Sequence, residues 1–212
     1  MKIGFVGAGN MANALGGRFV AKGHRLMLSH SRDPANLAVA ARSLGGDVLT
    51  GTARDAVEFG EVVVLSVVWA GVAGALEAAG PLHGKTVWSI VNPLRSDLSG
   101  LAIGTTTSGS EEISKQAIGA ELVAGWPPFA DVLRAHSTHF GTEHPTLFYC
   151  GDHEAAKQKV VPLFEALDVE AVDAGPLHAA RFIEPAMFLL VHLAYSQKMG
   201  EVGVRLLRRR SP

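Results

Sequence analysis

The chain has a single cysteine, Cys150, among 212 residues. One thiol excludes an internal disulfide framework and fits a reducing compartment. An excess of charge is also missing: 19 basic and 20 acidic residues leave a formal net of −1. That balance gives no electrostatic footprint for nucleic acid or an anionic membrane. Long apolar runs are few. The longest in the C-terminal half, MFLLVHLAY, is shorter than a bilayer span requires. The opening KIGFVGAG has one lysine and no secretory pattern. Internal repeats and low-complexity tracts are absent. The expectation is a cytoplasmic protein with a small-molecule substrate, no nucleic-acid partner and no membrane.

What is present is a core-forming chain, 48% apolar, too hydrophobic for disorder. Short β-branched runs alternate with Ala-rich stretches of helical length. KIGFV (2–6), RLMLS (25–29), VVVLSV (62–67) and TVWSIV (86–91) read as strands, with DVL (47–49) as a weak edge strand. Segments 11–21, 34–43 and 70–79 read as helices, and 53–58 as one short turn of helix. Such alternation predicts right-handed βαβ units and a parallel sheet. Further on, 121–126, 146–151 and 169–175 read as strands. Residues 153–168 read as a helix despite Pro162, and 178–196 as a helix interrupted or kinked near Pro185. WPPF at 126–129 is the clearest break. The fold class is therefore α/β, a Rossmann-type doubly wound sheet over 1–125, with a small C-terminal α+β extension over 126–212 ending in helices. The tail LLRRRSP is expected to be frayed.

IGFVGAGNMANAL is a strand, then Gly7-x-Gly9-x-x-Ala12, then a helix. Gly7 allows the tight turn, Gly9 lets backbone N–H groups approach a pyrophosphate, and Ala12 keeps the helix close to the sheet. The helix N-terminus offers free donors to phosphate. Gly7, Ala8, Gly9, Asn10 and Met11 are thus candidate cofactor contacts. About twenty residues on, an NAD-binding chain carries an acid for the ribose hydroxyl. This chain instead has Ser29, His30, Ser31 and Arg32 there. Arginine matches phosphate oxygens with a planar fork, which points to the 2′-phosphate of NADP. Asp33 and Pro34 separately read as a helix start.

Ligands of open α/β sheets sit at the carboxyl ends of the strands. That places Val67, Val68 and Trp69 beside the adenine or the nicotinamide ribose, and Asn92 and Pro93 at the nicotinamide end. Core packing is an equal reading for Trp69. Trp126, Pro127 and Phe129 form a candidate apolar wall for a flat acceptor. No acid–base pair stands out, so no catalytic residue is assigned. Hydride transfer needs alignment more than proton chemistry. His136 and His139 in HSTH have metal-like spacing but no third ligand in view, and no metal is expected. His192 and Cys150 read as core residues. Helix 182–195 carries more apolar residues than one stripe needs, which predicts a homodimer.

The stretches IGFVGAGNMANAL, GHRLMLSHSRDP, VVVLSVVWAGV, GKTVWSIVNPL, TTSGSEEI, TLFYCGDHEAAK and VDAGPLHAARFIEPAMFLLVHLAYSQKMG resemble, nearly end to end, the NADPH-dependent reductases of the deazaflavin coenzyme F420. The resemblance implies a Rossmann domain, NADP held through Ser31 and Arg32, pyrophosphate at Gly7 to Met11, and a dimer. It implies Val67 to Trp69, Asn92 and Pro93 at the inner end, with the deazaflavin near the nicotinamide. One departure concerns the acceptor. Where many members read Lys-Ala-Phe-Asn-Thr after the sixth strand, this chain has AGWPPF, with Ala124, Pro127 and Pro128 replacing the Lys, Asn and Thr. Three functions stay open: hydride transfer between NADPH and F420 or a flavin; an imine reductase similar to pyrroline-5-carboxylate reductase; and a non-catalytic NADP-binding or redox-sensing protein.

Overall fold

A computed structural model describes residues 1–29 and 34–209. Eight strands form one sheet in the order β3-β2-β1-β4-β5-β6-β7-β8. They are β1 (Lys2–Val6), β2 (Arg25–Ser29), β3 (Leu49–Gly51), β4 (Val62–Leu65), β5 (Thr86–Ser89), β6 (Glu121–Gly125), β7 (Thr146–Gly151) and β8 (Glu170–Asp173). The first six are mutually parallel, β7 runs antiparallel to β6, and β8 is parallel to β7. The first six strands have the doubly wound dinucleotide-binding order. Residues 126–212 add two strands to that same sheet and then turn into helix.

Strand periodicity feeds two apolar layers. In β4, Val62 and Val64 join the layer containing Phe5, Phe19 and Trp88; Val63 and Leu65 join the opposite one. Continuous VVVL is what a strand covered on both faces requires. Trp88 is fully buried, donates its indole N–H to the Gly125 carbonyl at 3.0 Å, and meets Phe164 edge-on at 5.0 Å. One layer is built on α1 (Asn10–Ala21), α2 (Pro34–Leu44) and α7 (Glu154–Glu165). The other is built on α3 (Ala53–Phe59), α4 (Val72–Ala79), α5 (Gly109–Gln116) and α8 (Ala180–Val191). Short α6 (Ala130–Arg134) leans on α1.

Several boundaries differ from expectation for identifiable reasons. Strands β4 and β5 stop at Leu65 and Ser89, two residues early, because the chain leaves the sheet to make loops at its carboxyl edge. The edge strand sits at 49–51 and not 47–49. Helix α3 is a full element because Thr52 and Asp55 form a reciprocal capping box, 3.1 and 2.8 Å. Helix α8 is not broken at Pro185; it runs on into a π-helical turn, His192–Ser196. Together with the 3₁₀ turn before it, this makes a 20-residue stretch, Leu177–Ser196, with mean hydropathy 1.3, long and apolar enough to span a bilayer by composition. The expectation of too short an apolar segment is corrected on that point. The stretch is nevertheless tied into the fold: Arg181 and Glu184 reach across to α5. The tail is docked as far as residue 206. Thr146 donates N–H to Val204, and Leu206 donates to the Thr146 hydroxyl.

Candidate active site

Strand order decides where a ligand can lie. The switch point falls between β1 and β4, and their carboxyl ends open onto a crevice. At this edge the structure brings together Gly7 to Met11 after β1, Val67 to Trp69 after β4, Asn92 and Pro93 after β5, and Trp126 to Phe129 after β6. His30, Ser31 and Arg32 lie outside the described residues.

The glycine loop is built from two differently constrained glycines. Gly7 has φ +110, and a Cβ on it would fall 2.1 Å from the Ser66 carbonyl oxygen and 2.9 Å from Val67 Cγ1. Its N–H donates to Ser29 O at 3.1 Å, closing the turn over the sheet. Gly9 is exposed, has φ −79, and would meet nothing within 4 Å of an added Cβ. It caps α1 without a side-chain bond, so the first-turn N–H groups face open space. Ala12 is fully buried, as close helix–sheet packing demands.

Two bracing residues went unread in the sequence. Asn13 donates its amide to Ala8 O at 3.2 Å and Gly9 O at 2.9 Å, holding the loop from within α1. Arg134, on α6, donates to Asn10 O at 3.0 Å and also contacts the Asn10 side chain. It sets a cation beside the N-terminus of α1. Asn13 was readable from its place one turn into the helix. Arg134 lies 124 positions from Asn10, and nothing local marks it.

Other placements refine the expected site. Ser29 is fully buried and donates its hydroxyl to Phe5 O at 2.6 Å. That proton is spent inside the sheet, which corrects the expectation of a phosphate donor there. Trp126 is 5% exposed, with its indole N–H on Val91 O at 3.2 Å. It belongs to the core and is not a pocket wall. The half-buried Phe129 stacks edge-on with Tyr195, ring centroids 5.8 Å apart. Pro127 is half-buried beside it, Val68 is 65% exposed, and Trp69 is half-buried in a 3₁₀ turn leading to α4. The Pro93 ring is buried against Gly109. Cys150 is buried and unpaired, and burial pushes its thiol up to about 12, which makes it inert at neutral pH.

A buried carboxylate stands behind Asn92. Glu184, 1% exposed, accepts from Gly109 N–H (2.8 Å), Ser110 N–H (2.9 Å) and the Ser110 hydroxyl (2.8 Å). Desolvation raises its pKa, against the pull of those bonds at the start of α5. Arg181 makes a two-pronged bond to Glu111 at 2.9 and 2.6 Å, which holds Glu111 low. The Asn92 amide donates weakly to Glu184 O at 3.4 Å, and its buried Oδ1 has no partner among the described residues. The only sequence signal for Glu184 was an acid inside an otherwise apolar helix.

A hollow of about 410 Å³ beside α1 and α6 is lined in part by Asn13 and Arg134, the residues that brace the glycine loop; a second, of about 480 Å³ beside α4 and α5, lies apart from this edge.

A strand, a glycine turn and an uncapped helix opening a 3-2-1-4-5-6 sheet define a dinucleotide-binding protein of the doubly wound class. Residues 2–93 match the family described as NADP oxidoreductase, coenzyme F420-dependent. The chain is 27% identical to an F420-dependent NADP reductase of Methanocaldococcus jannaschii over 174 residues, 78% of this chain and 76% of that protein. A candidate F420-dependent NADP reductase of Arthrobacter sp. FB24 superposes with TM-score 0.86 at 24% identity, over 98% of this chain and 100% of that one. A reductive aminase of Aspergillus terreus, solved with NADPH and ethyl-5-oxohexanoate, superposes with TM-score 0.66 at 19% identity, over 92% of this chain and 62% of that one. The resemblance to F420-dependent NADP reductases read in the sequence is borne out, and these similarities support an NADP-dependent oxidoreductase.

Proposed function

We propose that the protein transfers hydride between NADPH and a flat, flavin-like acceptor, with coenzyme F420 the first candidate. The observation that carries this reading is the Gly7–Gly9 loop, closed beneath and open above, inside the segment that matches the family. NADPH supplies the hydride when bound. The α1 N-terminus and Arg134 would hold its pyrophosphate, and Arg32 its 2′-phosphate. Asn92 Oδ1 offers an unmet acceptor to the amide of the nicotinamide. Val68, Trp69, Pro127 and the Phe129–Tyr195 pair offer an apolar rim for a ring system. The imine-reductase reading draws on a shared fold alone, and β7 and β8 fit poorly with an all-helical C-terminal domain. The test is NADPH consumption by the purified protein with F420, a flavin or a cyclic imine as acceptor. Reduction of F420 or the flavin at least about tenfold faster than of the imine is expected, a margin of about 1.4 kcal/mol in barrier. Turnover of the imine alone contradicts the proposal, and so does NADPH binding without turnover of any of the three.

The same proposal includes a two-fold dimer through α8. Phe182, Leu189 and Tyr195 are 73%, 54% and 57% exposed, a run of large apolar side chains left uncovered by the single chain. Light scattering at micromolar concentration is expected to give twice the 22.3 kDa chain mass. A 22.3 kDa species would remove the dimer.

A further inference from the structure

At the far end of the same sheet edge, beyond the outer strands β7 and β8, two imidazoles and a carboxylate converge. Phe140 and Glu143 exchange backbone hydrogen bonds at 2.9 and 3.2 Å across a tight turn, with Gly141 at φ +66. His139 and His144 are the next pair outward, where side chains of facing residues come closest. Their ring centroids lie 3.8 Å apart. Asp168 arrives from the α7–β8 turn, with Oδ2 2.8 Å from His139 Nε2 and Oδ1 3.6 Å from His144 Nδ1. The three donor atoms all lie within 4.8 Å of one another.

Three features go beyond a chance surface cluster. First, His139 Nε2 is buried and, although close to Asp168, the contact lacks hydrogen-bond direction, so the nitrogen is unsatisfied. Second, Asp168 takes φ +57, an unfavourable backbone state for a residue with a side chain. Thr138 fixes it there by donating to the Asp168 carbonyl at 2.8 Å. Third, the spacing fits a metal. A zinc–ligand length of about 2.0–2.1 Å puts tetrahedral donors about 3.3 Å apart; the two nitrogens lie 2.8 and 3.6 Å from the two oxygens of the one Asp168 carboxylate, so small side-chain rotations reach that spacing. The neighbouring Glu143 is engaged by Arg205 and is not needed as a ligand.

We propose that His139, His144 and Asp168 form a binding site for a divalent transition-metal ion of the zinc type. Two imidazoles and one carboxylate bind it, and solvent completes the coordination. Bound there, the ion pins the 139–144 turn to the end of α7. His136, the partner that HSTH suggested in sequence, is not in the group; the third ligand comes from 24 positions beyond His144 and was invisible locally.

The experiment uses the full-length, untagged, chelator-treated protein, with Zn²⁺ as the probe in calorimetric titration and thermal unfolding. The parent is expected to bind one equivalent with micromolar or tighter affinity. At a hundredfold excess over Kd its thermal midpoint should rise by about 5–10 °C. Asp168→Gly suits the left-handed backbone, so it should fold at least as well without metal yet bind Zn²⁺ at least tenfold more weakly. His144→Ala should lose binding similarly, and His136→Ala should not. Absence of stoichiometric binding by the parent overturns the proposal, as does parent-like affinity in Asp168→Gly and His144→Ala.

Discussion

Gly7→Ala is expected to destabilise the chain severely, whereas Gly9→Ala should fold normally and fail mainly at NADPH. The two glycines belong to one motif but answer to different forces. At Gly7 a methyl group would sit 2.1 Å from a carbonyl oxygen of the neighbouring loop, on a backbone at φ +110. Left-handed strain and an unyielding backbone contact together cost about 3 kcal/mol or more. At Gly9 the backbone is ordinary and the space is empty. The lost stability should stay within about 1 kcal/mol, the usual cost of alanine at a helix N-cap. The methyl group would instead occupy the approach of the pyrophosphate. Urea unfolding and NADPH titration of both variants separate these effects. If Gly9→Ala binds NADPH as the parent does, the phosphate lies elsewhere.

Much of this was legible in the sequence because it depends on local period and spacing. The β1–α1 unit, the parallel order of the first strands and the positions of 67–69 and 92–93 at one edge follow from alternating runs and the doubly wound rule. What escaped depends on contacts between distant segments. Whether Trp126 faced a ligand or the core was decided by the carbonyl of Val91, 35 positions away. Ser29 looked like a phosphate donor until Phe5 O claimed its proton. Helix α5 was hidden because GSEEISKQ is polar and short; its start is held by Ser108 and by Glu184, 74 or more positions on. Pro185 reads as a breaker, yet α8 keeps its course because Arg181 and Glu184 anchor that turn to α5.

Arg32→Ala is expected to weaken NADPH binding by about 10- to 150-fold, the worth of one charge-assisted bond of about 1.5–3 kcal/mol, and to leave NADH nearly unchanged. NADH presents only a hydroxyl where NADPH presents a phosphate, so the guanidinium has no anion to pair with. Arg32→Asp should widen the loss, because a carboxylate repels the phosphate while accepting from the ribose hydroxyl. The central claim is that this chain replaces the acid of an NAD site with a reader of the 2′-phosphate. Titration of NADPH and NADH against the parent and Arg32→Ala tests it most directly. The account predicts a parent that favours NADPH and a variant that has lost most of the preference; equal weakening of both cofactors, or a parent that favours NADH, would contradict it.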